Sequence, residues 1–110
     1  MPDIRVTNPV TGAEVGTVPN STLEQVRAAA DRARAIQPYW QERGAWGRAR
    51  FLRLWGEELW RSRDALIHII RQETGKNETG ALLEVIVLDI IIDYYAARAP
   101  QFLRPQKRRT

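Results

Sequence analysis

Apolar positions are distributed unevenly, and one stretch holds most of them. Residues 78–99 read ETGALLEVIVLDIIIDYYAARA, with Leu82, Leu83, Val85, Ile86, Val87, Leu88, Ile90, Ile91 and Ile92 leaving almost no polar side. A surface helix keeps one apolar stripe and one solvated face. Here only Glu84, Asp89 and Asp93 break the run. At 100° per residue, Asp89 and Asp93 lie about 40° apart and Glu84 points about 140° from Asp89. The pattern predicts a helix over 78–99 that needs neighbours on nearly every side. The β-branched residues make a buried strand the competing reading for 85–92, and length decides for helix. The acid-free runs are far shorter than the ~20 residues that cross a bilayer.

The rest of the chain shows weaker, more conventional periodicity. In 3–19, Ile4 and Val6 alternate with Arg5 and Thr7, and Val15 and Val18 follow a turn set by Pro9 and Gly12. That predicts a β-hairpin, which is marginal alone and must lean on something else. A first helix is predicted over 21–41. Its capping box is Ser21-Thr22-Leu23-Glu24, its apolar face is Leu23, Val26, Ala30 and Ala33, and Pro38 kinks or ends it. Tyr39 and Trp40 follow as an aromatic anchor. A second helix is predicted over 45–74, with Trp46, Ala49, Leu52, Trp55 and Leu59 as its apolar face and Phe51 at the edge. A break is expected near Ser62 or Asp64, where Ser62 would cap a shorter segment buried through Leu66, Ile67, Ile69 and Ile70. Gly75 is the expected stop and Asn77 the cap of the long helix. Pro100 and Pro105 are expected to end that helix, leaving 100–110 as a basic tail.

Composition narrows the function classes. At 110 residues, 44% hydrophobic and 27% charged, the chain belongs to the globular class as one small domain. There is no cysteine, which removes disulfides, thiolate metal sites and a thiol nucleophile together. The start MPDIRVTNP carries no apolar signal region, so a cytoplasmic address is expected. The net charge of +4 is matched by four basic residues of the tail, Arg104, Lys107, Arg108 and Arg109. Arg43, Arg48, Arg50 and Arg53 near Trp46 and Trp55 resemble a surface for stacking bases and pairing phosphates. Periodicity puts both tryptophans on the apolar face, so packing is the better reading.

No catalytic constellation is present. His68 is the only histidine and lies between Ile67 and Ile69 without a second ligand or base partner. The glycines at 12, 16, 75 and 80 match no phosphate-cradling motif.

Three stretches carry a resemblance. Asn8-Pro9-Val10-Thr11-Gly12 with Gly16-Thr17-Val18-Pro19 resembles the opening hairpin of the aldehyde dehydrogenase superfamily. Glu73-Thr74-Gly75-Lys76 resembles the E-x-G-K element closing that family's second helix, and Asp93-Tyr94-Tyr95-Ala96 resembles its x-Y-Y-A segment. Order and spacing agree over essentially the whole chain.

The resemblance implies a mostly α chain with an N-terminal β-hairpin, the incomplete N-terminal part of an α/β, Rossmann-type domain. The family oxidises aldehydes to acids by thiolate attack and hydride transfer to NAD or NADP. Its cysteine nucleophile, glutamate base and nucleotide-binding segments come later than the part matched here. The chain therefore reads as an amino-terminal segment (truncated, split or a gene remnant), structural rather than catalytic, with no cofactor expected for it alone. By the same resemblance Leu83 and Val87 match positions that line the outer aldehyde tunnel, with core packing the better reading in this chain because a tunnel needs an opposite wall. Val6, Thr7 and Glu73 would hold a monovalent cation through oxygen donors, with a further ligand from the absent part; an exposed Glu73 with no such role is equally consistent. The apolar surface of the long helix should be left uncovered, at ~1.5–3 kcal/mol for each large side chain. Self-association or a complementary chain is the expected remedy, with no membrane. A helical interaction module using that exposed face is the alternative from another class, and an arginine-driven nucleic-acid binder is the weaker one.

Overall fold

The computed structural model describes residues 2–105. In chain order they form β1 (Ile4–Thr7), β2 (Glu14–Val18), α1 (Leu23–Glu42), α2 (Gly44–Arg61), α3 (Arg63–Thr74) and α4 (Glu78–Phe102). The architecture is mostly helical with one two-stranded antiparallel hairpin. No strand forms over 85–92. The part of the predicted basic tail from 106 onward lies outside the described residues.

The hairpin pairs Ile4 with Val18, Arg5 with Thr17, Val6 with Gly16 and Thr7 with Glu14, with an irregularity between Val6 and Thr7. Its turn is held by the Asn8 side chain, which accepts from the Val10 and Thr11 amides at 2.9 and 3.1 Å. Gly12 takes φ 72°, the left-handed conformation that its place in the turn requires. Val10 leans on Gly75, itself at φ 73°, and a Cβ there would overlap the Val10 side chain. The N-P-V-T-G turn and the E-T-G-K stop, far apart in sequence, thus meet in space.

Helix ends follow local chemistry, with three departures from expectation. The capping box is Thr22 with Gln25, one residue later than Ser21 with Glu24. Thr22 Oγ1 accepts from the Gln25 amide at 3.2 Å and Gln25 Oε1 accepts from the Thr22 amide at 2.8 Å. Both tetrads satisfy the motif, and Thr22 is the residue with the extended backbone a cap needs. Pro38 neither ends α1 nor stops its last turn, because the freed carbonyl of an exposed helix can face water. Ser62 divides α2 from α3 but makes no side-chain cap, since its φ of −88° and ψ of 7° lie outside the extended region. Gly75 ends α3 in the left-handed conformation and Asn77 caps α4 by accepting from the Gly80 amide at 2.8 Å.

The core is one narrow seam. The buried residues of α4 are Ala81, Val85, Ile92, Ala96 and Pro100, and those of α2 are Ala49 and Gly56. Ile92 packs on Gly56, where a Cβ would come within 3.1 Å of the Ile92 Cγ2. The expected tryptophan face of α2 is corrected: Trp46 and Trp55 are 54% and 52% exposed, and the packed stripe runs through Ala49, Leu52, Gly56 and Leu59. Neither α1 nor α3 buries a residue, and the predicted α1 face of Leu23 and Val26 lies open. Ile69, expected inside, is exposed.

The long helix extends past Pro100 to Phe102, correcting the predicted end at 99. A proline in a helix frees the carbonyl four residues earlier. That group, the Ala96 carbonyl, accepts from Arg53 Nη2 of α2 at 3.3 Å. The result is an extended body, 61 × 39 × 28 Å, with a radius of gyration of 19.0 Å. A compact chain of this length would have about 13 Å.

Candidate apolar groove

A long apolar groove opens between α3 and α4. Leu66 and Ile70 of α3 form one wall, and Leu83, Val87, Leu88 and Ile91 of α4 form the other, enclosing about 500 Å³. Leu83 and Val87 are one turn apart, so their side chains share a face. They are 55% and 52% exposed, which makes them groove walls and not core residues of this chain. Glu84 supplies the carboxylate at the rim and is paired with Lys76. Arg71 and Glu78, 3.7 Å apart, bridge α3 and α4 across the Gly75–Asn77 turn. Such a groove can hold an apolar chain or a helix face. Its one carboxylate, Glu84, is engaged with Lys76.

The proposed cation residues sit at the other side of α3. Glu73 lines a shallow recess of about 440 Å³ with Glu14, Val15, His68, Ile69 and Gln72. Thr7 pairs with Glu14 in the hairpin, which brings β1 near this recess, whereas Val6 and Thr7 do not line it. His68 is exposed. Among the described residues no group of three or more His, Cys, Asp and Glu side chains is arranged to hold a metal. A third recess, about 270 Å³ between α2 and α4, gathers Arg53, Glu57, Trp60, Asp89 and Asp93. Arg53 was not singled out for this position by sequence reasoning. The available signal was Pro100, which announces a carbonyl in need of a donor.

Among the described residues no helix is long and apolar enough to cross a membrane.

Residues 2–109 match the family described as the aldehyde dehydrogenase family. The chain is 33% identical over 96% of its length to a Mycolicibacterium smegmatis protein provisionally named succinate-semialdehyde dehydrogenase (NADP(+)). It is 33% identical over 87% of its length to the glutarate-semialdehyde dehydrogenase of Pseudomonas putida. A solved structure described as an E. coli NADP dependent enzyme superposes with a TM-score of 0.86 at 29% identity, covering 97% of this chain. The chain spans 21% and 20% of those two relatives and 23% of the solved chain.

Proposed function

The chain belongs to the aldehyde dehydrogenase family, and we propose that it supplies the opening hairpin and helices of an oxidoreductase that converts a semialdehyde to a carboxylic acid with NADP. The observation that carries this reading is the match over residues 2–109, with semialdehyde dehydrogenases among the relatives. The role is structural. Without a cysteine these residues hold no thiolate to attack a carbonyl, and without a glycine-rich turn they hold no dinucleotide cradle. NADP, bound by the rest of such an enzyme, would supply the hydride acceptor. A cytoplasmic place belongs to the same proposal.

Within that assembly Leu83 and Val87 line the outer aldehyde path. Exposure on the groove wall supports this role better than core packing. The carbonyls of Val6 and Thr7 with the Glu73 carboxylate offer oxygen donors to a monovalent cation, completed by a ligand from elsewhere in the enzyme.

The test is a graft in which this chain replaces the matched fifth of the Mycolicibacterium smegmatis protein. The graft should form NADPH from a semialdehyde while the chain alone should form none. Leu83→Trp in the graft should raise KM for the aldehyde and leave kcat nearly unchanged. Glu73→Gln should remove any rise in melting temperature produced by potassium. Turnover by the isolated chain, or a folded graft without activity, would refute the proposal.

A further inference from the structure

We propose that the outer arc of α4 is where the remaining four-fifths of a family domain docks, and that this chain meets that body as a preformed unit, held without a covalent link. The inference rests on the enzymatic reading and adds the partner and the surface. Around the helix Ile90, Tyr94, Val87, Ile91 and Tyr95 follow one another over about 140°, all of them exposed. A seam between two paired helices is narrower than the roughly 100° stripe of an ordinary surface helix. Leu66 and Ile70 of α3 stand across the groove on one flank of this arc and leave it open. A single helix laid on α4 would therefore cover only part of the arc, whereas a broad layer would cover all of it.

Several observations support the rest of the fold as the occupant. The solved E. coli chain carries the same fold over 23% of its length, so more than three quarters of it lies beyond the match. The chain exposes 9366 Å², against about 6,200 Å² for a compact protein of 12.7 kDa. That excess is well above the ~800 Å² each partner gives to a standard interface, which calls for a body and not a peptide. The arc can also be buried without stranding a carboxylate. Glu84 is paired with Lys76, Arg98 lies 4.4 Å over the Tyr94 ring, and Asp89 and Asp93 fall outside the arc, beside Arg53 in the recess between α2 and α4. A ligand path needs walls on most sides, and a body covering Ile90 and Tyr94 would also roof Leu83 and Val87. Docking meets a built surface: Asn77 caps α4, Ile92 is seated on Gly56 and Val10 is set against Gly75. Those contacts are internal to the chain, so little ordering is left to oppose association.

The test places a protease site after Thr110 in the Mycolicibacterium smegmatis graft and cuts the folded protein. The two pieces should stay together on a sizing column and keep forming NADPH from a semialdehyde. Ile90→Glu should weaken the cut complex about tenfold or more, because it carries an unpaired carboxylate into the interface, while circular dichroism of the released chain shows helix content unchanged. Wild-type chain added to that variant should displace it and restore the complex. Pieces that separate on cutting while the uncut graft is active would overturn the inference and spare the enzymatic reading. So would a cut complex indifferent to Ile90→Glu, or a chain that pairs only with its own copy. A folded graft without activity would refute the enzymatic reading itself, and pieces that then fall apart would overturn both.

Discussion

The inner and outer faces of α4 have similar hydrophobicity and opposite fates. Inward lie Ala81, Val85, Ile92 and Ala96, all buried, against a second helix that offers Ala49 and Gly56. Outward lie Leu83, Val87, Ile90 and Tyr94, all bulkier on average and all exposed. Size distinguishes the two sides. Small residues let helix axes approach closely enough for backbones and short side chains to interlock. Large residues hold a neighbour at a distance, and Leu66 and Ile70 of α3 stand across an open groove from Leu83 and Val87. A helix greasy on every side has thus satisfied one side from within.

If that account is right, inner substitutions should dominate the stability of the chain. Ile92→Ala should cost about 2–4 kcal/mol, since it removes the side chain seated on Gly56 and leaves a void. Ala96→Leu should cost about 1–3 kcal/mol by overpacking a site with 0% exposure. Urea denaturation at low protein concentration measures both. Equal tolerance of Leu at position 96 and at an outer position would break the distinction between the faces.

The same contrast explains what could be read from the sequence. The helices, the hairpin, the positive φ of Gly12 and Gly75, the Asn77 cap and the division near Ser62 were legible because each is local. The face of α2 was legible in part, since Ala49, Leu52 and Leu59 pack as expected. Hydrophobic periodicity also favours Trp46 and Trp55, whereas packing selects Gly56, which such a pattern weights lightly. For the groove, the family resemblance singled out Leu83 and Val87, and their spacing placed them on one face. The opposing wall of Leu66 and Ile70 depends on how α3 turns back at Gly75, a tertiary fact. The Arg53–Ala96 bond joins residues 43 apart in sequence, beyond the reach of any local pattern.

That bond yields a smaller prediction on the inner side. Arg53→Ala should cost about 1 kcal/mol, the usual scale of a hydrogen bond lost from a partly buried carbonyl. In a Pro100→Ala background the residue at 100 regains an N–H that the Ala96 carbonyl can accept within the helix. Arg53→Ala should then cost less, and a double-mutant cycle reads the difference as a positive coupling. Additive costs would mean that the guanidinium stabilises α2 against α4 in some other way.

On the outer face the expected effect is the smallest and depends on concentration. Ile90 is 60% exposed and touches the solvent side of the helix, so Ile90→Ser in the monomer should change stability by no more than about 0.5 kcal/mol. A partner that binds only the folded state adds stability by mass action. If copies of the chain associate through this face, the wild-type melting temperature should rise with protein concentration, while that of Ile90→Ser should rise less or not at all. Inner-face variants such as Ile92→Ala should keep the concentration dependence and lose stability at every concentration. Parallel shifts for both kinds of variant would mean that the two faces of α4 are not independent, and that the outer stripe already supports the fold of the single chain.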